Sequence, residues 1–381
     1  MKPMLPFTRP TLDEQTLHEV LAVLRSGWLA SGPMVKAFEA ALSDYFGGRP
    51  VRTQTSATAS LEHALLVCGI GSGDEVIVPA MSFVATANVV ARVGARPVFV
   101  DVQLESRNID LDQVEAAVTP RTRAILPVHF AGLPVDQDRL YALAERHRLR
   151  VIEDAAQAIG ASFRGRRIGS FGDLVCFSFH PNKNITTIEG GAVVGGSPEE
   201  VRELELHRFH GQVRSGPDEV DTLFAGGKAN LSDVAACIGL GQLKRLEEFN
   251  TRRRVLAARY FELWAQDPPL RLPARGEAGH NWHMFPAPIV DEDHLVGAPE
   301  LIEHRVEPIE ERLQTGLLVV DRDDDRDSRT QRIALRRISV AASTTRSTSA
   351  SSMAGKSGRV TVSRPMRSAL GNCPARYPMA R

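Results

Sequence analysis

Arg123-Ala124-Ile125-Leu126-Pro127-Val128 and Leu149-Arg150-Val151-Ile152-Glu153, with the helical run Asp136–Arg148 between them, decide the fold. Each short run is apolar almost throughout, which fits a strand buried on both faces. Two such strands joined through a helix form a unit of a mainly parallel sheet with helices on both sides. The same alternation extends outward. Toward the N-terminus, Ser56–Cys68 reads as helix, with Leu61, Ala64, Leu65 and Cys68 on one face; Glu75–Ala80 reads as strand, Phe83–Arg92 as helix, Arg96–Val102 as strand and Leu111–Val118 as helix. Toward the C-terminus, Phe171–Phe179 and Gly190–Val194 read as two strands joined by a polar loop. The helices Val201–His207 and Val234–Phe249 follow, and then Arg252–Trp264, a long helix leaving the sheet domain. At the start, Thr11-Leu12-Asp13-Glu14 reads as a capping box. Leu17, Val20, Leu21 and Leu24 then form one apolar helical face, which Gly27–Pro33 ends.

The 381 residues carry 46 Lys+Arg and 46 Asp+Glu, a formal net charge of zero. That balance argues against a dedicated nucleic-acid or membrane-surface protein. No apolar run reaches the ~18 residues of a bilayer span, and Met1–Pro6 lacks an apolar signal stretch. Cys68, Cys176, Cys237 and Cys373 lie far apart, without metal-type spacing. A cytoplasmic enzyme without a structural metal is the expectation.

Open parallel sheets take ligands at the carboxyl ends of their strands, and three groups fall there. Thr55-Ser56-Ala57-Thr58-Ala59-Ser60 opens a helix, so its free N–H groups and hydroxyls could cup a phosphate; an ordinary N-cap is the plainer alternative. Glu153-Asp154-Ala155-Ala156-Gln157 follows an apolar strand, and a carboxylate there is costly unless paired; a surface loop or cap is the plainer alternative. Ser178-Phe179-His180-Pro181-Asn182-Lys183-Asn184-Ile185-Thr186-Thr187 sets a lysine between two strand-like runs, with Gly190-Gly191 after it. A loop lysine is ordinarily a solvated charge; buried, its amine loses basicity and becomes available to a carbonyl. Phosphate cup, carboxylate and lysine together are what pyridoxal phosphate requires.

Gly27-Trp28-Leu29-Ala30-Ser31-Gly32-Pro33, the Ser56-Ala57-Thr58 turn, Asp74–Pro79, Glu153–Gln157 and Ser178–Thr187 resemble the DegT/DnrJ/EryC1/StrS sugar aminotransferases, in order and nearly without gaps from about residue 5 to 288. The resemblance implies a fold-type I pyridoxal-phosphate-dependent transferase: an α/β domain with a mainly parallel sheet flanked by helices, and a C-terminal small domain that is incomplete here. It implies that Lys183 bonds the cofactor aldehyde and that Asp154 pairs with the pyridinium nitrogen. It places Gln157 beside the phenolic oxygen, Phe83 over the ring, and Ala57, Thr58 and Ser178 at the phosphate. Most relatives have Gly where Ala57 stands. Asn230 resembles a residue reaching the phosphate of the neighbouring subunit, which implies a homodimer with shared sites. The implied reaction moves an amino group from glutamate to a nucleotide-linked keto-sugar, for surface polysaccharide, lipopolysaccharide or antibiotics. Outside the resemblance, Phe83 could be plain core, and His129 and His180 read as structural.

The sequence changes character near its end. All fifteen Phe and all three Trp lie at or before Phe285, and residues 321–381 hold twelve Arg and ten Ser but one Tyr. Asp321–Asp327 is a charge run and Ala341–Ser352 is mostly Ser, Thr and Ala, a composition that cannot offset the entropy of ordering. The expected division is residues 1–250 as cofactor-binding large domain, 251–290 as the start of a small domain, and 291–381 as an aberrant, poorly ordered tail. A reading frame left shortly after Pro288 would account for the tail. A defective, non-catalytic pyridoxal-phosphate-binding product is therefore the alternative function.

Overall fold

The computed structural model describes residues 8–263 apart from 215, 217 and 218, together with residues 272–275 and 279–287. Two helices, α1 (Glu14–Ser26) and α2 (Pro33–Tyr45), precede the sheet. The chain then runs β1 (Val51–Gln54), α3 (Ala57–Val67), β2 (Glu75–Pro79), α4 (Ala85–Arg92), β3 (Arg96–Val100), α5 (Leu111–Ala117), β4 (Thr122–Ile125), α6 (Gln137–His147) and β5 (Arg150–Asp154). A small hairpin, β6 (Ser162–Phe163) and β7 (Arg166–Arg167), leads to β8 (Leu174–Ser178) and β9 (Gly191–Val194). After α7 (Pro198–Arg208) and a second hairpin, β10 (Gln212–Arg214) and β11 (Val220–Thr222), come α8 (Asp233–Lys244) and α9 (Leu246–Leu263).

Seven strands form one sheet in the order β1-β9-β8-β5-β4-β2-β3. The five strands from β8 to β3 pair in parallel; β9 runs antiparallel to both β8 and β1. The expected mainly parallel sheet is therefore present, with one reversed strand. Alternation along β2 sends Val76 and Val78 to the face packed by α3 and α4, and Ile77 to the face packed by α5 and α6. Around β8 and β9, α2 and α8 close the second face with Phe38, Leu42 and Phe46 against Phe177. Phe38, Phe46, Phe177 and Phe179 are among the largest fully buried side chains. Truncating one such ring to Ala typically costs about 3–5 kcal/mol.

Several boundaries differ from the sequence reading. Asp13, not Thr11, caps α1: its carboxylate accepts the Thr16 N–H at 2.8 Å. The Thr11 carbonyl instead accepts from Gln242 Nε2 at 2.8 Å. The apolar face expected of α1 is not a core face. Leu17, Leu21 and Leu24 are all exposed, and α1 buries Thr16 and Val23 instead. The helical segment expected over Val234–Phe249 is broken at Arg245, so the long helix starts at Leu246 rather than Arg252. Strand β1 had no sequence signal: Val-Arg-Thr-Gln is short, with three polar residues of four, and is held by its pairing with β9. Residues 280–287 pack back on α9 through Phe285 and Ala287 against Ala257 and Phe261. The tail expected from residue 291 lies outside the described residues.

Candidate active site

A cavity of about 1130 Å³ opens at the carboxyl ends of β5 and β8. The N-terminus of α3 forms one wall. Ser56 caps it, accepting the Ala59 N–H at 3.1 Å, while the N–H groups of Ala57 and Thr58, in the first turn, have no intrahelical acceptor. Gly191 lets β9 approach this turn: a Cβ there would lie 2.5 Å from the Ala57 nitrogen and from the Ser56 carbonyl carbon. Ser178, at the end of β8, and Ala57 and Thr58 all line the cavity. The expected phosphate groups thus converge on a helix N-terminus, where the dipole favours an anion.

Asp154 enters from the end of β5 and is buried. One carboxylate oxygen accepts from Thr86 Oγ1 at 2.9 Å and the other from the Ala156 N–H at 3.1 Å. Burial pushes its pKa up, against those two hydrogen bonds and the nearby Lys183 charge. Lys183 comes from the loop between β8 and β9, which is pinned at its base by the Phe179 carbonyl accepting from Thr186 Oγ1 and the Thr187 N–H. Burial pulls the Lys183 amine below its usual range, opposed by Asp154. Neither group makes a direct ion pair among the described residues. A buried acid and a half-buried amine, without a direct ion pair on one cavity wall, are groups that a cationic ring nitrogen and an aldehyde would satisfy. With the phosphate cup beside them, the residues present fit pyridoxal phosphate.

Gln157 lines the same cavity. Its Oε1 accepts the Ala131 N–H at 2.6 Å, which turns its Nε2 donor to the remaining side. Phe83 stands at the mouth, 71% exposed, so it is not core. Asn230 stands apart: it bonds Lys228 and Ser31 of its own chain and does not line the cavity. His129, read as structural, is fully buried and does have a carboxylate partner. Its Nε2 meets Glu153 at 2.7 Å, while Nδ1 accepts the Val135 N–H. That N–H fixes the tautomer with the proton on Nε2.

Sequence reasoning missed a buried polar chain beneath Lys183. The Ile159 carbonyl can only accept, so Asn250 donates Nδ2 to it at 3.2 Å and turns Oδ1 to Asn184. Asn184 Nδ2 donates to that Oδ1 at 2.7 Å, leaving its own Oδ1, 2.8 Å from His283 Nδ1, to accept. His283 therefore carries a proton on Nδ1. Burial and the Lys183 charge hold its pKa well below the usual range. Asn281 ties this segment to the loop after β5, donating to the carbonyls of Gln157 and Ile159. It fits because Gly132, at φ +91, has no Cβ to collide with the Asn281 side chain. Thr86 was missed too. Of these residues, only Asn184 lies inside a motif quoted from the sequence.

The model of the DegT/DnrJ/EryC1/StrS aminotransferase family matches residues 10–306, further than the limit near Pro288 read from the sequence. Among solved structures, Spr1654 from Streptococcus pneumoniae, assigned as a sugar aminotransferase and solved in its PLP form, is 34% identical over 79% of this chain and 82% of its own, with a TM-score of 0.74. DesV from S. venezuelae is 37% identical over 75% of this chain and 77% of its own, with a TM-score of 0.71. Helicobacter pylori PseC, an aminotransferase involved in the biosynthesis of pseudoaminic acid, is 29% identical over 78% of this chain and 81% of its own, with a TM-score of 0.73.

Proposed function

The chain belongs to the DegT/DnrJ/EryC1/StrS aminotransferase family, whose cofactor is pyridoxal 5'-phosphate, and we propose that it transfers the amino group of glutamate to a nucleotide-linked keto-sugar for surface polysaccharide or related aminosugar synthesis. The observation that carries this reading is the joint placement of Asp154, Lys183 and the open first turn of α3 around one cavity. Bound pyridoxal phosphate supplies an aldehyde to accept the amino group and an electron sink that acidifies the donor's α-carbon. Asp154 holds the pyridinium proton, with Thr86 and the Ala156 N–H keeping the carboxylate oriented. Ala57, Thr58 and Ser178 bind the phosphate. Gln157 would offer Nε2 to the phenolic oxygen, and Phe83, at the cavity mouth, would lie over the ring. Lys183, its amine made less basic by burial, takes the proton from the donor's α-carbon and returns it during amine transfer. Asn230 serves the phosphate of a partner subunit in a homodimer. Its surface position and the exposed leucines of α1 support that role.

The test is a two-step assay. Glutamate should convert the loaded enzyme to its aminated form with release of 2-oxoglutarate, and a nucleotide-linked keto-sugar should then discharge it. Discharge by simple 2-oxo acids but by no keto-sugar would contradict the substrate class. A second reading, a defective product that binds cofactor without turnover, is favoured by one observation: the loss of Phe and Trp after Phe285 together with the rise of Arg and Ser. Turnover by the purified 381-residue chain excludes it; cofactor binding without turnover supports it.

A further inference from the structure

Arg253, on α9, lines the same cavity as Lys183. Its Nη1 donates to the carbonyls of Trp282 at 3.3 Å and His283 at 2.9 Å. Its Nε is buried with no acceptor, and Nη2 makes no hydrogen bond among the described residues. No carboxylate pairs with it among the described residues. Burial alone acts on it, drawing its pKa down to about 10, so the guanidinium keeps its charge at neutral pH.

Other arginines show how this fold satisfies guanidinium groups. Arg150 pairs with Asp173 and Glu200, and Arg208 with Glu39. Arg49, which has a purely structural task, gives both terminal nitrogens to four carbonyls, those of Gly169, Phe171, Gly172 and Asp173. Arg253 does neither. It spends one nitrogen on backbone and leaves its Nε–Nη2 edge, the fork that grips oxyanions in bidentate fashion, without an acceptor. A buried charge left unpaired is costly. The cost is recovered when an anion enters the cavity.

We propose that Arg253 is a substrate-anion anchor, receiving an oxyanion of a reactant in the cavity that Lys183 serves. This rests on the aminotransferase reading, which offers two sources: a carboxylate of the amino donor, or the diphosphate of the sugar acceptor. Both present oxygens to the same fork.

The experiment uses wild-type and Arg253→Gln holoenzymes. Calorimetry measures binding of glutarate, an unreactive dicarboxylate of the donor's length, and of inorganic pyrophosphate. Rapid mixing gives the glutamate dependence of the first half-reaction. Arg253→Gln should weaken one probe by roughly tenfold to a hundredfold, the range of a charge-assisted hydrogen bond, with cofactor content unchanged. Loss confined to glutarate and glutamate identifies the donor carboxylate; loss confined to pyrophosphate identifies the acceptor's phosphates. Unchanged affinity for both probes overturns the proposal and makes Arg253 a strut for the 282–283 backbone. If the Gln chain does not fold, Arg253→Lys decides, since it keeps a charged donor but lacks the fork. Weaker binding supports the anchor, and wild-type affinity for both probes overturns it. A chain that binds glutarate through Arg253 yet aminates no keto-sugar contradicts the sugar reading alone.

Discussion

At the residue scale, the site depends on a carboxylate that burial works against. The Asp154 pKa is raised by loss of water, and the Thr86 hydroxyl is one of its two hydrogen-bond donors. Thr86→Val removes that donor while keeping the shape of the side chain. The raised pKa should rise further, so the acid limb of the activity profile moves to higher pH. Cofactor affinity should fall roughly tenfold or more, and Thr86→Ser should restore it. A spectral titration of cofactor against pH measures both effects, and an unmoved acid limb would contradict the role. The sign extends to stability. A carboxyl whose folded pKa lies above its unfolded value stabilises below the unfolded pKa, and that contribution is lost as pH rises through the folded value. Asp154 and Lys183 were legible in the sequence because each sits in a contiguous motif at a strand end. Thr86, Asn250 and Arg253 were not. Each is an ordinary residue in its own helix, and only the tertiary fold brings it to the cavity.

At the element scale, the parallel strands are tied at their amino ends by one carboxylate. Glu75, which opens β2, accepts from Arg96 at the start of β3 at 2.5 Å and from Arg121, just before β4, at 2.7 Å. Thr119 donates to its other oxygen at 2.6 Å. Hydrogen bonds from Arg96 and Thr119, with help from Arg121, bring the Glu75 pKa down to about 2. Its folded value lies below its unfolded one, so its contribution is present above the unfolded pKa and lost as pH falls toward 2. Glu75→Gln should therefore lower the thermal midpoint at neutral pH, and the gap from wild type should close as the acid range is crossed. A gap independent of pH would contradict the ionic account. Helix and strand order was readable because apolar runs and capping residues are local signals. The face of α1 was misread because periodicity shows that a face is apolar, not what covers it. The break at Arg245 was invisible because both neighbouring segments are helical in pattern.

At the scale of the whole molecule, the exposed α1 leucines, with Trp28 at 60% exposure, lie on the surface of a single chain. We expect a second copy to cover them and to bring its Asn230 to the first copy's phosphate cup. Mixed dimers of Lys183→Ala and Asn230→Ala chains place both defects in one site and leave the other intact. Activity above that of either parent is the expected result; none in verified mixed dimers would place Asn230 within its own chain's chemistry. The central claim is narrower: that this chain carries pyridoxal phosphate on Lys183, beside Asp154. Borohydride reduction of the loaded 381-residue protein, followed by peptide mapping, tests it most directly. The account predicts a phosphopyridoxyl group on the peptide containing Lys183, absent from Lys183→Ala. Labelling of a different lysine, or no incorporation at all, would contradict it.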